Sequence, residues 1–472
     1  MKKIILLFPV LSLLLASLTA CGTDPVKKQA VVEGAIFGGQ SDAKIDVDVS
    51  LDLKWITTKK NTVYQPELAK FCALLSSDSY FRQKDLDKGR QNRVVFAENA
   101  DTEYSVTDFL TAFGFTDAEH YESYLVLEDP TDSNDSVTLN IGHQVADGKY
   151  DVYAVVIRGC FSWQEWCSAF DPGCSDANYN GLTGSHPDWT HSEYHKGIDI
   201  AANRTLAFIE DFIAGHNDET LPDCILLTGH SRGGSIANIL GAHFEKDSAI
   251  RSYTYTFNTM PAACDADAGR YQTIFNVFDT NDFFTDPFPF TEGSFRRYGT
   301  DISLSASGSE EFKAQVQALK GLNDYVSVSA DTAAEYRRLF AERFPSREML
   351  CDTESLTFVY DDEESAAAGR ENFVALISSE NGLGVEDLCR VSEIVKGNDG
   401  TFTLTVEYNG LALLRSYAKI LAYGPAAYDA FVKLFAGEET GCEIAALIVE
   451  NIDAINGGHL LGYSYLLSGI AK

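Results

Sequence analysis

The sequence predicts an α/β protein, a mostly parallel β-sheet flanked by helices, and three observations carry that expectation. Short apolar runs of strand type recur at 137–144, 150–158, 224–228, 253–257 and 273–278. Between them, 197–212 and 235–244 place apolar residues at helical spacing, and strands alternating with helices form a parallel sheet covered on both faces. The composition is that of an ordinary globular chain, with 472 residues, 45% hydrophobic and 22% charged. That length admits one large domain or two or three small ones, and no repeat with a period of 20–50 residues points to a solenoid or propeller.

At the N-terminus, Lys2 and Lys3 precede an apolar run over 4–15 that is too short for a comfortable membrane span and reads as an export signal. Leu18-Thr19-Ala20-Cys21 resembles a bacterial lipobox, which implies cleavage before Cys21, its acylation and a firm membrane anchor. An ordinary secretory signal with an incidental cysteine is the alternative. The expected organisation is a signal peptide over 1–20, a small, polar tether over 21–45 and one domain over 46–472. Such a chain would be held outside the cytoplasm at the bacterial cell membrane. Without Cys21, nine of the ten cysteines remain, and an odd number in an oxidising compartment leaves at least one thiol unpaired. Cys167 and Cys174 could close a short loop. No C-x-x-C pair supports a zinc ribbon or a thioredoxin site.

Charge narrows the partners. With 69 acidic and 37 basic residues the net charge is −32, which argues against nucleic acid, because phosphate contacts need clustered Lys and Arg. It argues equally against adsorption to anionic lipid through a basic face. No residue pattern speaks to an oligomeric state.

The remaining elements follow in order. Residues 63–127 alternate helix-like apolar spacing with polar turns, and Val145-Ala146-Asp147-Gly148-Lys149 supplies hairpin chemistry between the first two strands. Residues 159–195 read as a loop holding three of the four tryptophans, Trp163, Trp166 and Trp189. From 298 to 400 the chain is more charged and helix-biased, with 356–360 and then 401–408 strand-like. This reads as part of a largely helical insertion over about 298–440. The terminal segment 426–470 is again helical, entered after Pro425 and interrupted by Asn456-Gly457-Gly458.

The run 224–228 leads directly into Gly229-His230-Ser231-Arg232-Gly233-Gly234. G-x-S-x-G alone is weak, but a buried strand, a Gly-flanked turn and a small-residue helix are the setting a nucleophile elbow requires. Side chains at Gly229 or Gly233 would collide across the tight turn, so this context predicts Ser231 as nucleophile within an α/β-hydrolase fold. A structural Gly-rich turn is the alternative. A serine hydroxyl needs a base, and in this fold the acid and then the histidine follow the serine in the chain. Of nine histidines, six precede Ser231, His230 lies in the elbow and His243 on the helix leaving it, so His459 is the candidate base. The acid should end a later strand, where Asp282 competes with Asp279 and Asp286. This acidic loop could alternatively bind Ca²⁺, although it lacks the glycine and final glutamate of an EF-hand. His186, His191 and His195 do not share one helix face, so no metal is expected; no cofactor is expected either.

Taken together these segments resemble the class 3, or fungal-type, lipase family, over about 150–470. Val155-Val156-Ile157-Arg158-Gly159 is similar to the strand before that family's oxyanion residue, and Trp166 sits where a tryptophan is frequent. His195-Lys196-Gly197-Ile198 is similar to the motif ahead of the helix preceding the elbow. Thr280-Asn281-Asp282 is similar to its Asn-Asp acid motif, which favours Asp282. The segment from His459 to Leu466 is similar to its catalytic histidine followed by tyrosine and leucine. The resemblance implies a Ser231–His459–Asp282 triad, with the N–H groups of Cys160 and Arg232 as an oxyanion hole. It also implies an acyl groove under a lid at 160–195, including Phe161, Trp163 and Trp166, for which a disulfide-braced surface loop is the alternative. Two features depart from the family: Cys160 replaces the usual Ser or Thr, and the acid lies far ahead of the histidine. The expected function is carboxylic ester hydrolysis, with an acyl glycerol as the substrate the resemblance implies. The alternatives are the same triad acting on non-lipid esters, thioesters or peptides, or a surface binding lipoprotein without turnover.

Overall fold

The computed structural model describes residues 25–34, 44–80, 92–96, 105–122, 137–161, 163–173, 193–217, 220–246, 249–265, 267–279, 282–304, 328–379, 382–456 and 458–459. The expected signal peptide, Cys21, Cys174, His186, Trp189 and His191 lie outside the described residues.

The N-terminal strands are β1 (Val26–Gly34), β2 (Lys44–Leu51) and β3 (Asn92–Phe96), with helices α1 (Lys54–Thr58) and α2 (Pro66–Asp78) between the last two. They form a three-stranded antiparallel sheet in the order β2-β1-β3. Part of the expected tether is therefore strand: Val31 and Val32 favour extended backbone, and β2 and β3 supply the partners that composition could not reveal.

The main sheet follows. After α3 (Val106–Ala112) come β4 (Asp117–Glu122), β5 (Thr138–Ala146), β6 (Tyr150–Ile157), α4 (Trp163–Ala169), α5 (Lys196–His216), β7 (Asp223–His230), α6 (Arg232–Lys246), β8 (Arg251–Phe257), β9 (Ile274–Asp279) and β10 (Thr300–Leu304). Seven strands lie in the order β10-β9-β8-β7-β6-β5-β4, parallel from β6 to β10 and antiparallel at β5 and β4. The β5–β6 hairpin turns through Asp147 (φ 52°) and Gly148 (φ 63°), the pair of left-handed residues a type I′ turn needs.

Strands laid down in chain order with right-handed crossovers put their connecting helices on one face, so the other face needs a separate cover. The buried residues divide accordingly. Tyr153, Val155, Ile157, Ile225 and Leu227 share one cluster with Ile198 and Ile209 of α5 and Ile236 and Leu240 of α6. Their alternates Val152, Ala154, Val156, Leu226, Tyr253 and Tyr255 share another with Leu68, Phe71 and Leu75 of α2. The period of two, buried on both sides, explains why these strands read as continuous apolar runs.

Beyond β10 the chain builds a cap from α7 (Ala330–Arg343), β11 (Glu354–Tyr360), α8 (Glu363–Ile377), β12 (Cys389–Val391), β13 (Val395–Lys396), β14 (Phe402–Tyr408), α9 (Gly410–Tyr423), α10 (Pro425–Leu434) and α11 (Glu439–Glu450). The expected insertion is helical in about half of its described residues, with two further differences. Its first residues form β10 of the main sheet, and it holds a four-stranded antiparallel sheet around β14. Strands of three and two residues, such as β12 and β13, are too short to leave a period-two signal. No described helix is long and apolar enough to cross a membrane.

Candidate active site

β7 ends at His230, α6 starts at Arg232, and Ser231 makes the turn between them with φ 56°. A left-handed conformation in a non-glycine residue costs on the order of 1–3 kcal/mol and persists only where the surroundings enforce it. Here they do. A Cβ on Gly229 would lie 2.4 Å from the Gly233 carbonyl oxygen, and one on Gly233 would lie 2.3 Å from that of Ile157. The Ser231 N–H donates to Phe257 O at 2.9 Å, and its carbonyl accepts from Ser235 N at 3.0 Å, so the turn is tied to β8 and to the new helix.

His459 and Asp282 meet although 177 residues separate them, with Nδ1 2.7 Å from Oδ2. The second carboxylate oxygen of Asp282 accepts the Phe284 N–H at 3.0 Å and caps the short 3-10 turn Phe283–Thr285. The carboxylate is thereby oriented from both sides. Both residues are buried, and His459 Nε2 carries no hydrogen bond among the described residues. The imidazole packs against two rings, Phe284 and His230, each 4.5 Å away between centroids. His230 is the residue before Ser231, which brings the histidine to the elbow. Burial, then the neighbouring His459, pushes the His230 imidazole well below its ordinary range, so it stays uncharged there. The Tyr80 hydroxyl lies 2.8 Å from its Nδ1. Of the rival acids, Asp286 is exposed and faces Arg337 at 3.8 Å, and the Asp279 side chain lies outside the described residues.

The backbone after β6 runs against the serine: a Cβ on Gly159 would lie 3.1 Å from Ser231 Cβ. This puts Cys160 beside the elbow. Its thiol is free and donates to Glu165 O at 3.3 Å, and burial raises it well above the usual thiol range despite nearby Arg232. The turn is braced by groups that motif reading missed. Glu165 holds Arg158 in a buried ion pair at 3.0 Å and accepts the Phe161 N–H at 2.7 Å. The buried Arg232 guanidinium donates twice to Ser168 Oγ, at 3.1 and 2.8 Å. None of these partners carries a motif of its own.

The expected loop 159–195 is helical over α4, which holds Trp163 and Trp166. Trp166 packs on Phe284 with centroids 5.4 Å apart, and Phe284 packs on His459. Trp163 is covered from α9 by Lys419, whose Nζ lies 4.5 Å from the ring, while Phe161 lies under Arg158. Cys167 is a free, buried thiol, so the Cys167–Cys174 loop closure that the spacing allows is not made, whereas Cys351 is disulfide-bonded. His195 caps α5, its Nδ1 accepting from Ile198 N, and burial pushes it down to about 3, outweighing nearby Asp171. Among the described residues no group of His, Cys, Asp and Glu could hold a metal ion.

Strand order and elbow together define an α/β-hydrolase fold. No family model and no curated protein matches the chain. Among solved structures it is similar to a fungal lipase solved with an inhibitor, at 15% identity and TM-score 0.32, over 50% of this chain and 78% of that one. It is likewise similar to Rhizomucor miehei triacylglyceride lipase (15%, TM-score 0.32, 51% and 79%) and to Lip2 lipase from Yarrowia lipolytica (14%, TM-score 0.32, 54% and 81%). Likenesses this distant add nothing to what the topology and the elbow already say.

Proposed function

We propose that the chain is a serine carboxylic ester hydrolase. Ser231 Oγ attacks the ester carbonyl as His459 Nε2 takes its proton, and Asp282 holds the imidazole in the tautomer that leaves Nε2 free to do so. The N–H groups of Cys160 and Arg232 stabilise the oxyanion. Collapse of the tetrahedral intermediate expels the alcohol, which takes the proton from His459. A water then attacks the acyl-enzyme by the same route, releasing the acid and restoring Ser231. The observation that carries this reading is the buried Asp282–His459 pair at 2.7 Å, its Nε2 without a hydrogen bond among the described residues, beside a strained serine. The aromatic line from Trp166 through Phe284 to His459 supports an acyl chain as the substrate's apolar part, and an acyl glycerol as its class. The enzyme would work outside the cytoplasm, anchored through acylated Cys21.

A fluorophosphonate probe tests the chemistry. It should label the folded protein at Ser231 and leave Ser231→Ala unlabelled; a folded wild type that stays unlabelled would overturn the reading.

A further inference from the structure

We infer that Asn258 is a positioning residue for His459, holding the backbone of the histidine while Asp282 holds its ring. Among the described residues three non-glycines have positive φ: Asp147, Ser231 and Asn258. Asp147 is accounted for by its hairpin turn and Ser231 by the elbow. Asn258 directly follows β8 with φ 43° and is fully buried, and no tight hairpin asks for that conformation. Glycine would adopt it with less strain, so the side chain has a use that glycine cannot serve.

That use is visible in its contacts. Asn258 Nδ2 donates to the His459 carbonyl at 3.0 Å, across 201 residues of sequence. Its own N–H donates to Val277 O at 3.0 Å, so the anchor is fixed to β9. β7 and β8 pair in register with His230 opposite Phe257, which makes Ser231 and Asn258 the residues that leave two neighbouring strands at the same level. One strand end thus presents the hydroxyl, and the next ties down the chain that brings the base.

An imidazole held only through Nδ1 can pivot about that single hydrogen bond. A second anchor on the carbonyl, beyond Cα, removes the pivot and fixes where Nε2 points. A reacting nitrogen displaced by about 1 Å loses roughly 100-fold in rate. The inference rests on the hydrolase reading above.

Two substitutions test it. Asn258→Gly keeps the left-handed backbone and deletes the amide; Asn258→Asp keeps the shape and turns an acceptor toward the His459 carbonyl. Both should lower kcat on a p-nitrophenyl ester, and the rate of fluorophosphonate labelling, by roughly 10- to 100-fold. KM should stay within about twofold, Asp should be no better than Gly, and the Tm of Asn258→Gly should not fall. Three results would overturn the inference: kcat and labelling rate within twofold of wild type in Asn258→Gly, a loss confined to KM, or a loss that follows a lowered Tm. A wild type that is itself unlabelled overturns the hydrolase reading and this inference together. A labelled wild type with an equally reactive Asn258→Gly overturns this inference alone.

Discussion

Asp282 spends its two carboxylate oxygens on two different tasks, one on His459 Nδ1 at 2.7 Å and the other on the Phe284 N–H at 3.0 Å. The same residue thus shapes the loop and orients the ring.

Replacing it with Asn should separate those tasks. Asp282→Asn can still accept from Phe284, but it offers the imidazole either the wrong tautomer or no partner. Ester hydrolysis should fall by the order of 10⁴-fold while the circular dichroism spectrum stays unchanged. Activity within tenfold of wild type would show that the pair does not serve catalysis.

The strain at Ser231 should appear as stability. Ser231→Gly removes the left-handed penalty and loses something to the greater freedom of the unfolded chain. A net gain of roughly 1 kcal/mol in urea unfolding is expected, together with complete loss of turnover. An inactive but less stable variant would contradict the strain argument.

The brace under the turn after β6 is a third point of test. Glu165→Ala takes from the buried Arg158 its carboxylate partner at 3.0 Å and leaves the more distant Glu122 carboxylate at 3.7 Å. Breaking a buried pair from one side should cost about 3 kcal/mol. Because Glu165 also holds the Phe161 N–H, kcat should fall even under conditions where the variant is fully folded. Unchanged kcat in the folded fraction would separate the brace from the site.

A pH effect follows from His195. Burial holds its folded value at about 3, below an unfolded value of about 6.5, so the unfolded chain binds the proton first as the medium is acidified. Stability is then complete above about pH 6.5 and is lost as pH falls toward 3, by up to about 1.4 kcal/mol per pH unit. His230 is depressed in the same direction and adds to the slope. His195→Asn keeps a cap for the Ile198 N–H without a titrating ring, and its unfolding free energy should fall less steeply between pH 6.5 and 4.5. Equal slopes for the two proteins would exclude His195 as the source.

Much of the fold was legible because its signals are local. The strands β5 to β9 carry short runs rich in apolar residues, and chain order leads from the elbow to His459. What could not be read is what depends on distant partners. β1 needs β2 and β3 beside it, and β10 is five residues that gain meaning only when laid along β9. Tyr80 and Asn258 belong to no motif, and each acts through a residue from another part of the chain. One local signal was available for Asn258: asparagine directly after a buried strand is among the few residues that tolerate left-handed backbone.

The cap lies in the sequence between Asp282 and His459, so their contact closes a loop that contains the whole of that segment. Closing that long loop makes the pairing one of the most non-local contacts in the molecule. The serine turn, by contrast, is made by neighbours in the chain. On the proposed hydrolase reading, a molecule whose cap has come loose would keep the Ser231 turn and lose the place of His459. Hydrolysis would then work as a built-in proofreading signal, given only by copies whose folding has gone to completion.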